Sequence, residues 1–324
     1  MPSHKKQKGA RATGRRASKR FALPPGTSVR SDLPPWGSRA WHTAVRPQNF
    51  AFYGGIDTLY KFRALNSPTA VARFQEIIER NTVYFAPRDA MNDLFDMAVR
   101  HVITGDKSKP ATRARVLRDA ERLIRAHVPP IPEPEIQHHL EYFRVVDLTE
   151  IERQATDASR ANLSKEFPVF CLSADNTHPA QWAYYAADNT GACIHFDCRL
   201  LSSSPFAFAR KVEYQEERPA VPIPMTLTDT EVARRVALIK HTDWQHEREY
   251  RVLGHTDIGI NFKSFDGRKA EFDGALIVGI TVGVRMEPTK VDLVRNIAAA
   301  HVPPIPLFRA NPRPDTFTCS IDPL

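Results

Sequence analysis

Apolar and polar positions alternate in short runs along this 324-residue chain, and the runs outline a sheet. Leu59-Tyr60-Lys61-Phe62-Arg63 has a period of two. That pattern predicts a strand with Leu59, Lys61 and Arg63 on one face and Tyr60 and Phe62 on the other. Further short strands are expected at 83–85, 168–173, 192–197, 212–214, 247–253, 275–282 and 305–308. Between them the period lengthens to that of a helix. Ser67 and Pro68 are a good N-cap and first residue for a helix whose stripe is Val71, Phe74, Ile77 and Ile78. A short helix is expected at 179–187, with Trp182 and Tyr185 three apart on one face. Thr228 and Glu231 form a capping box for a helix through Lys240, and Met286-Glu287-Pro288 precedes one with Val291, Val294 and Ile297 inward.

Residues 100–165 read as helical, with a stripe of Val116, Ala120, Leu123 and Ile124, a break at Pro129-Pro130-Ile131-Pro132, and a second helix or pair beyond it. The fold class expected is therefore α+β: a mixed or antiparallel central sheet, flanking helices and a helical insertion at about 100–165. His127-Val128-Pro129-Pro130-Ile131-Pro132 recurs as His301-Val302-Pro303-Pro304-Ile305-Pro306. Its flanks do not match, so it reads as a helix stop used twice rather than a duplicated domain.

Composition changes this picture mainly at the N-terminus. The chain is 42% hydrophobic and 25% charged, ordinary for a globular protein. Its net charge of +8 is uneven: residues 1–20 hold eight Lys and Arg and no acid, which leaves 21–324 formally neutral. Residues 1–50 lack periodicity and are cut by Pro, so they read as a basic disordered arm with a Pro-rich lead-in, and 51–324 as a single domain. The arm reads as a nonspecific contact for nucleic acid or membrane, as an address, or as a solubilising tail. The absence of a long apolar run and of a secretory signal predicts no membrane span and a cytoplasmic protein. Cys171, Cys193, Cys198 and Cys319 are expected to be reduced thiols, with no metal.

The strongest chemical constellation is Trp244-Gln245-His246-Glu247-Arg248-Glu249-Tyr250-Arg251. On a strand, Glu247, Glu249 and Arg251 point one way, with neighbours on that face roughly 6.6 Å apart. Two carboxylates so placed suit one ligand: one orients a hydroxyl while the other stabilises positive charge growing on a sugar carbon. A salt-bridged edge strand explains the same pattern without function. Trp182, Tyr184 and Tyr185 ahead of the turn Asp188-Asn189-Thr190-Gly191 are either stacking groups for a base or core aromatics. Lys61 and Arg63, beside Tyr60, suit a diphosphate or are simply outward charges. Asn92 and Asp93 make either a binding loop or a self-bonded turn. Ser173 ends a strand as a lone hydroxyl. Common nucleotide-loop, zinc-helix and nucleophile-elbow motifs are absent.

Taken in order, several of these blocks resemble a mostly bacterial family called domain of unknown function 2971. They are Leu59 to Arg63, Tyr84-Phe85 with Asn92-Asp93-Leu94-Phe95-Asp96, Cys171-Leu172-Ser173, Trp182 to Ala186 with Gly191, and Trp244 to Arg251. Leu94 stands where that family usually has Pro. A more distant resemblance is to ADP-ribosyltransferases, on the order Arg63, Ser173, Glu247-Arg248-Glu249. It implies an ADP-ribosyltransferase-like fold and a mono-ADP-ribosyltransferase that uses NAD to modify a protein or nucleic acid, as a toxin or phage-defence protein does. On that resemblance Glu249 holds the nicotinamide ribose and Glu247 serves the acceptor. On it too, Arg63 grips a phosphate or ribose and Trp182 or Tyr185 lines the nicotinamide pocket. Beside the resemblance, Lys61, Tyr60 and Ser173 are further candidates to hold the cofactor, and Asn92, Asp93, Arg251 and Trp244 to contact substrate. Two readings stand beside it: a nucleic-acid-binding or regulatory module without catalysis, and another enzyme cleaving nucleotide or glycosidic bonds.

Overall fold

The computed structural model describes Arg39 and residues 49–127, 129–166, 168–223, 229–254, 261–266 and 268–324. The basic arm, most of the lead-in and the capping Thr228 lie outside the described residues. In chain order, β1 (Thr58–Arg63) leads into α1 (Pro68–Glu79), then β2 (Thr82–Tyr84) and β3 (Arg100–Ile103). Three helices follow: α2 (Pro110–Arg125), α3 (Glu133–Val145) and α4 (Leu148–Glu166). Next come β4 (Val169–Ser173), α5 (Pro179–Tyr185), β5 (Ala192–Asp197), β6 (Arg210–Lys211), β7 (Glu213–Gln215) and β8 (Ala220–Ile223). The chain continues through α6 (Asp229–Ala237), β9 (Ile239–His241), β10 (Glu249–Leu253), β11 (Ser264–Phe265) and β12 (Lys269–Glu271). It closes with β13 (Ile277–Gly283), α7 (Pro288–Ala300), β14 (Leu307–Pro312) and β15 (Cys319–Pro323).

The main sheet runs β15-β14-β13-β5-β1-β4-β10-β6, antiparallel except for the β13–β14 pair, which α7 connects. This is the α+β architecture that the periodicities predict. Ser67 caps α1 by accepting from the Ala70 amide, and Phe74, Ile77 and Ile78 are its buried residues. They pack with Leu59, Phe170, Leu172, Tyr250 and Val252, which fixes one face of the sheet. On the other face Tyr60 and Phe62 meet Trp182 and Tyr185 of α5. β5 is buried along its whole length, as a strand covered on both faces must be. Gly191 lets the β1 end approach: a Cβ there would lie 2.2 Å from the Arg63 carbonyl oxygen.

Several expectations are corrected. The 100–165 region opens with β3, which pairs in parallel with β8, before its three helices. Leu123 of the expected α2 stripe is exposed, while Thr112 and Val116 are buried. The helix expected to run through Lys240 stops at Ala237, because residues 239–241 pair with β7. The closing hairpin strand β15 follows the segment expected to be last. Both copies of the His-Val-Pro-Pro repeat do end helices, and each His Nδ1 lies against the carbonyl two residues on, at 2.9 Å and 2.8 Å. Among the described residues no helix is long and apolar enough to cross a membrane.

Candidate active site

The site begins with an interruption in the sheet. β1 pairs with β5 along its length, from Thr58–Asp197 to Arg63–Ala192, but with β4 only at Tyr60–Ser173. Beyond that pair β1 and β4 part. The Lys61 ammonium donates to the Cys171 carbonyl at 2.7 Å, giving a partner to a β4 group that the ladder leaves open. A cavity of about 650 Å³ occupies the parting and is lined from both faces of the sheet. Tyr60, Gln181, Tyr185, Glu247 and Glu249 line it on the α5 side, and Lys61, Arg63, Arg73 and Ile77 on the α1 side.

The two glutamates come together by a route that periodicity does not predict. Residues Thr242–Glu247 are a 3-10 turn, and β10 starts only at Glu249. Arg248 between them has φ 45, a left-handed residue that ends the turn and aims the chain into the strand. The turn is fastened to β4, since Ser173 Oγ donates to the Glu247 carbonyl (2.7 Å) and the Ala174 amide to the Arg248 carbonyl (3.0 Å). The Ser173 hydroxyl also accepts from the Asp175 amide at 2.9 Å, so it is committed to backbone although it lines the cavity.

Around the glutamates lies a buried charge cluster. Lys240 Nζ is 2.5 Å from Glu247 Oε2, 3.4 Å from Glu249 Oε2 and 3.6 Å from Asp96 Oδ2. Arg251 is wholly buried. It donates to Glu249 at 2.7 Å and 2.8 Å, to Asp96 at 2.9 Å and 2.6 Å, and to the Ala237 carbonyl at 2.9 Å. Tyr185 donates its hydroxyl to Glu247 Oε1 in a short hydrogen bond and accepts from the Asn92 amide at 3.1 Å. Three carboxylates against two cations leave one net negative charge when all are ionised.

The environments drive the two glutamates apart. Burial alone raises Glu249, but Arg251 and Lys240 outweigh it and hold the carboxyl well below its ordinary range. Glu247 is raised, by burial and then by the Glu249 charge, against the pull of Lys240 and Tyr185. A proton entering the pair therefore goes to Glu247. Burial and the Glu247 charge raise Tyr185, which stays protonated and donates. Burial, then the Glu249 charge, pushes the Cys171 thiol up to about 12, so it is no nucleophile here. All four cysteines are free thiols.

Of the twelve residues given a catalytic, cofactor or substrate role from the sequence, Tyr60, Lys61, Arg63, Asn92, Ser173, Tyr185, Glu247 and Glu249 line the same cavity, while the aromatic Tyr184 outside that set is exposed. The other four do not. Trp182 is a core residue, edge-on to Phe62 at 5.1 Å, its indole N–H donating to the Asn176 carbonyl. Asp93 closes its own turn by accepting from the Phe95 amide at 2.8 Å. Arg251 has no free face for substrate. Trp244 lies under the Lys240 ammonium at 4.7 Å. Sequence reasoning missed Lys240, Asp96 and Arg73. Lys240 had a signal: a lone cation closing the apolar run Val236-Ala237-Leu238-Ile239 asks for a buried partner. Asp96 stood only as the end of the Asn92–Asp96 block, with nothing to mark its ionic role, since its partners lie more than a hundred residues away.

A model of the family described as Protein of unknown function (DUF2971) matches residues 181–252. The match runs from Gln181 through Lys240, Glu247 and Glu249 to Arg251, and over these residues it bears out the resemblance to that family. No curated protein and no solved structure matches the chain.

Proposed function

We propose that this protein is an enzyme that breaks the glycosidic bond of a nucleotide, with NAD as the consumed substrate and a protein or nucleic acid as acceptor of the ADP-ribosyl unit. The observation that carries the reading is the pair of glutamates with opposite proton affinities, which share one ammonium on the wall of a cavity large enough for a nucleotide. Paired groups whose environments separate them in this way divide the labour of acid–base and electrostatic catalysis. Glu249, held ionised, stabilises the positive charge growing on the sugar carbon as the bond to nicotinamide breaks. The bonding pair leaves with the nicotinamide nitrogen. Glu247 takes the proton from the acceptor as the acceptor's lone pair bonds to that carbon. Tyr185 and Lys240 fix the orientation of Glu247, and the net negative charge of the cluster favours the cationic sugar.

The test is release of nicotinamide from NAD by the full chain, beside calorimetric binding of NAD. Glu247→Gln is expected to lower turnover by about 10²–10⁴-fold, the usual worth of a positioned acid–base group. Turnover should also fall with falling pH as Glu247 protonates, and the fall should come above the ordinary carboxylate range because Glu247 is raised. A folded protein that neither binds nor consumes NAD at millimolar concentration overturns the proposal.

A further inference from the structure

The cavity has a second half that the acid pair does not use. On the α1 side of the parted strands are Lys61 and Arg63 from β1, Arg73 from α1, and Lys269 from β12. Lys269 is neutralised by an ion pair with Glu76. The other three have no carboxylate partner: among the described residues Lys61 bonds only a carbonyl, and Arg63 and Arg73 form no hydrogen bond or ion pair. Arg63 Nε is buried with no acceptor at all. Burial and the neighbouring Arg63 charge lower Lys61 to about 8, helped by Arg251 and opposed by Cys171 and Glu249 from β4 and β10. Burial and the Arg73 charge lower Arg63 to about 10 against Cys171. Three cations crowded at a concave surface, with a buried donor unmet, are costly in the empty protein unless an anion completes them.

We propose that this chamber is a diphosphate subsite, with Arg63 and Arg73 as its fork donors and Lys61 as a point charge at its floor, so that a bound nucleotide threads the parted sheet. The phosphates then lie on the α1 side and the reacting sugar carbon on the α5 side, against Glu247 and Glu249. Arg suits the role because its planar donors match two phosphate oxygens at once. The repulsion among the cations falls away when an anion of charge −2 or more enters. The inference deepens the nucleotide reading and rests on it for the sugar end. The anion chemistry stands on the chamber alone, and it names Arg73, which lies on a different element from the early strand.

The experiment titrates the full chain with inorganic pyrophosphate and with ADP-ribose, using ribose as the uncharged control. It is repeated on Arg73→Gln and on the gentler Arg63→Lys. Arg73 is exposed on a helix, so its variant tests binding without risk to the core. Pyrophosphate and ADP-ribose are expected to bind and ribose not to. Arg73→Gln should weaken both anions at least tenfold, and binding should weaken as pH rises through about 8, where Lys61 loses its charge. No pyrophosphate binding at millimolar concentration, or equal binding by Arg73→Gln and wild type, overturns the subsite. The two readings fail separately. Pyrophosphate binding without NAD consumption keeps the chamber and removes the glycosidic chemistry. NAD consumption whose KM is unmoved in both Arg variants removes the chamber and keeps the chemistry.

Discussion

The two halves of the cavity are both charged, but they are charged differently. On the α5 side, Asp96, Glu247, Glu249, Lys240 and Arg251 are buried together and each has an opposite charge within 4.0 Å. On the α1 side, Lys61, Arg63 and Arg73 have no carboxylate ion-pair partner among the described residues, and the nearby Glu76 is taken by Lys269. The first arrangement is complete in the protein alone, so its geometry is set by folding. The second is incomplete, so its charges act on whatever enters. A preorganised group and a waiting group are what catalysis and binding respectively require.

The largest effect that would break this contrast is on the complete side. Arg251→Met leaves Asp96 and Glu249 buried without their guanidinium, and should cost about 3–5 kcal/mol in urea unfolding, as removal of one partner from a buried ion pair does. A loss below about 1 kcal/mol would mean that the cluster is hydrated and not prebuilt.

Lys240→Met should cost about 3 kcal/mol near neutral pH, the lower end of that range, because Glu247 is able to take up a proton in place of its partner. The cost should shrink as pH falls. The folded protein holds Glu247 raised above its unfolded value, so its favourable neutral form is fully present at low pH and lost as pH rises through the folded value. Without Lys240 that window should extend to higher pH. Stability curves of the two proteins that stay parallel across pH would contradict the shared-ammonium picture.

Tyr185→Phe removes one hydroxyl from Glu247 and the acceptor of the Asn92 amide. A loss of about 1 kcal/mol by thermal unfolding is expected, since a single hydrogen bond is worth about that. A cost above about 3 kcal/mol would place Tyr185 among the groups that hold the cluster together.

On the incomplete side the sign reverses and the effect is smallest. Arg63→Gln or Arg73→Gln should leave the unliganded protein unchanged or more stable by up to about 0.5 kcal/mol, because a repelling charge is removed. The same logic applies to Lys61. Its folded value of about 8 lies below the unfolded one, so the empty protein gains stability from this group as pH rises from about 8 toward the ordinary lysine value. Saturating pyrophosphate should flatten that gain. A marked destabilisation by Arg73→Gln without ligand would show that this side is also satisfied internally.

Much of the scaffold was legible along the chain because its signals are local. Period two in Leu59 to Arg63 and the cap and stripe after Ser67 needed no knowledge of the rest of the molecule. Glu247 and Glu249 were legible as a pair, but the expected strand was not the cause. Their convergence depends on a 3-10 turn and the left-handed Arg248, and the turn is held by Ser173 from a strand more than seventy residues earlier. Lys61 and Arg63 were legible as same-face neighbours. That they are on the opposite face from the glutamates, and reach the same cavity only through the parting of β1 and β4, was not.

Residue type and spacing alone therefore determined most of the central strands and their flanking helices, the apolar faces of those elements, and which side chains carry charge, but not β3, β9 or β15. Those properties follow from backbone sterics and from side-chain burial over a few residues. The tertiary structure decided which charges neutralise each other and which stay bare. Pairing partners lie across the sheet, and the interruption that separates the two groups is a matter of strand register that no single segment encodes.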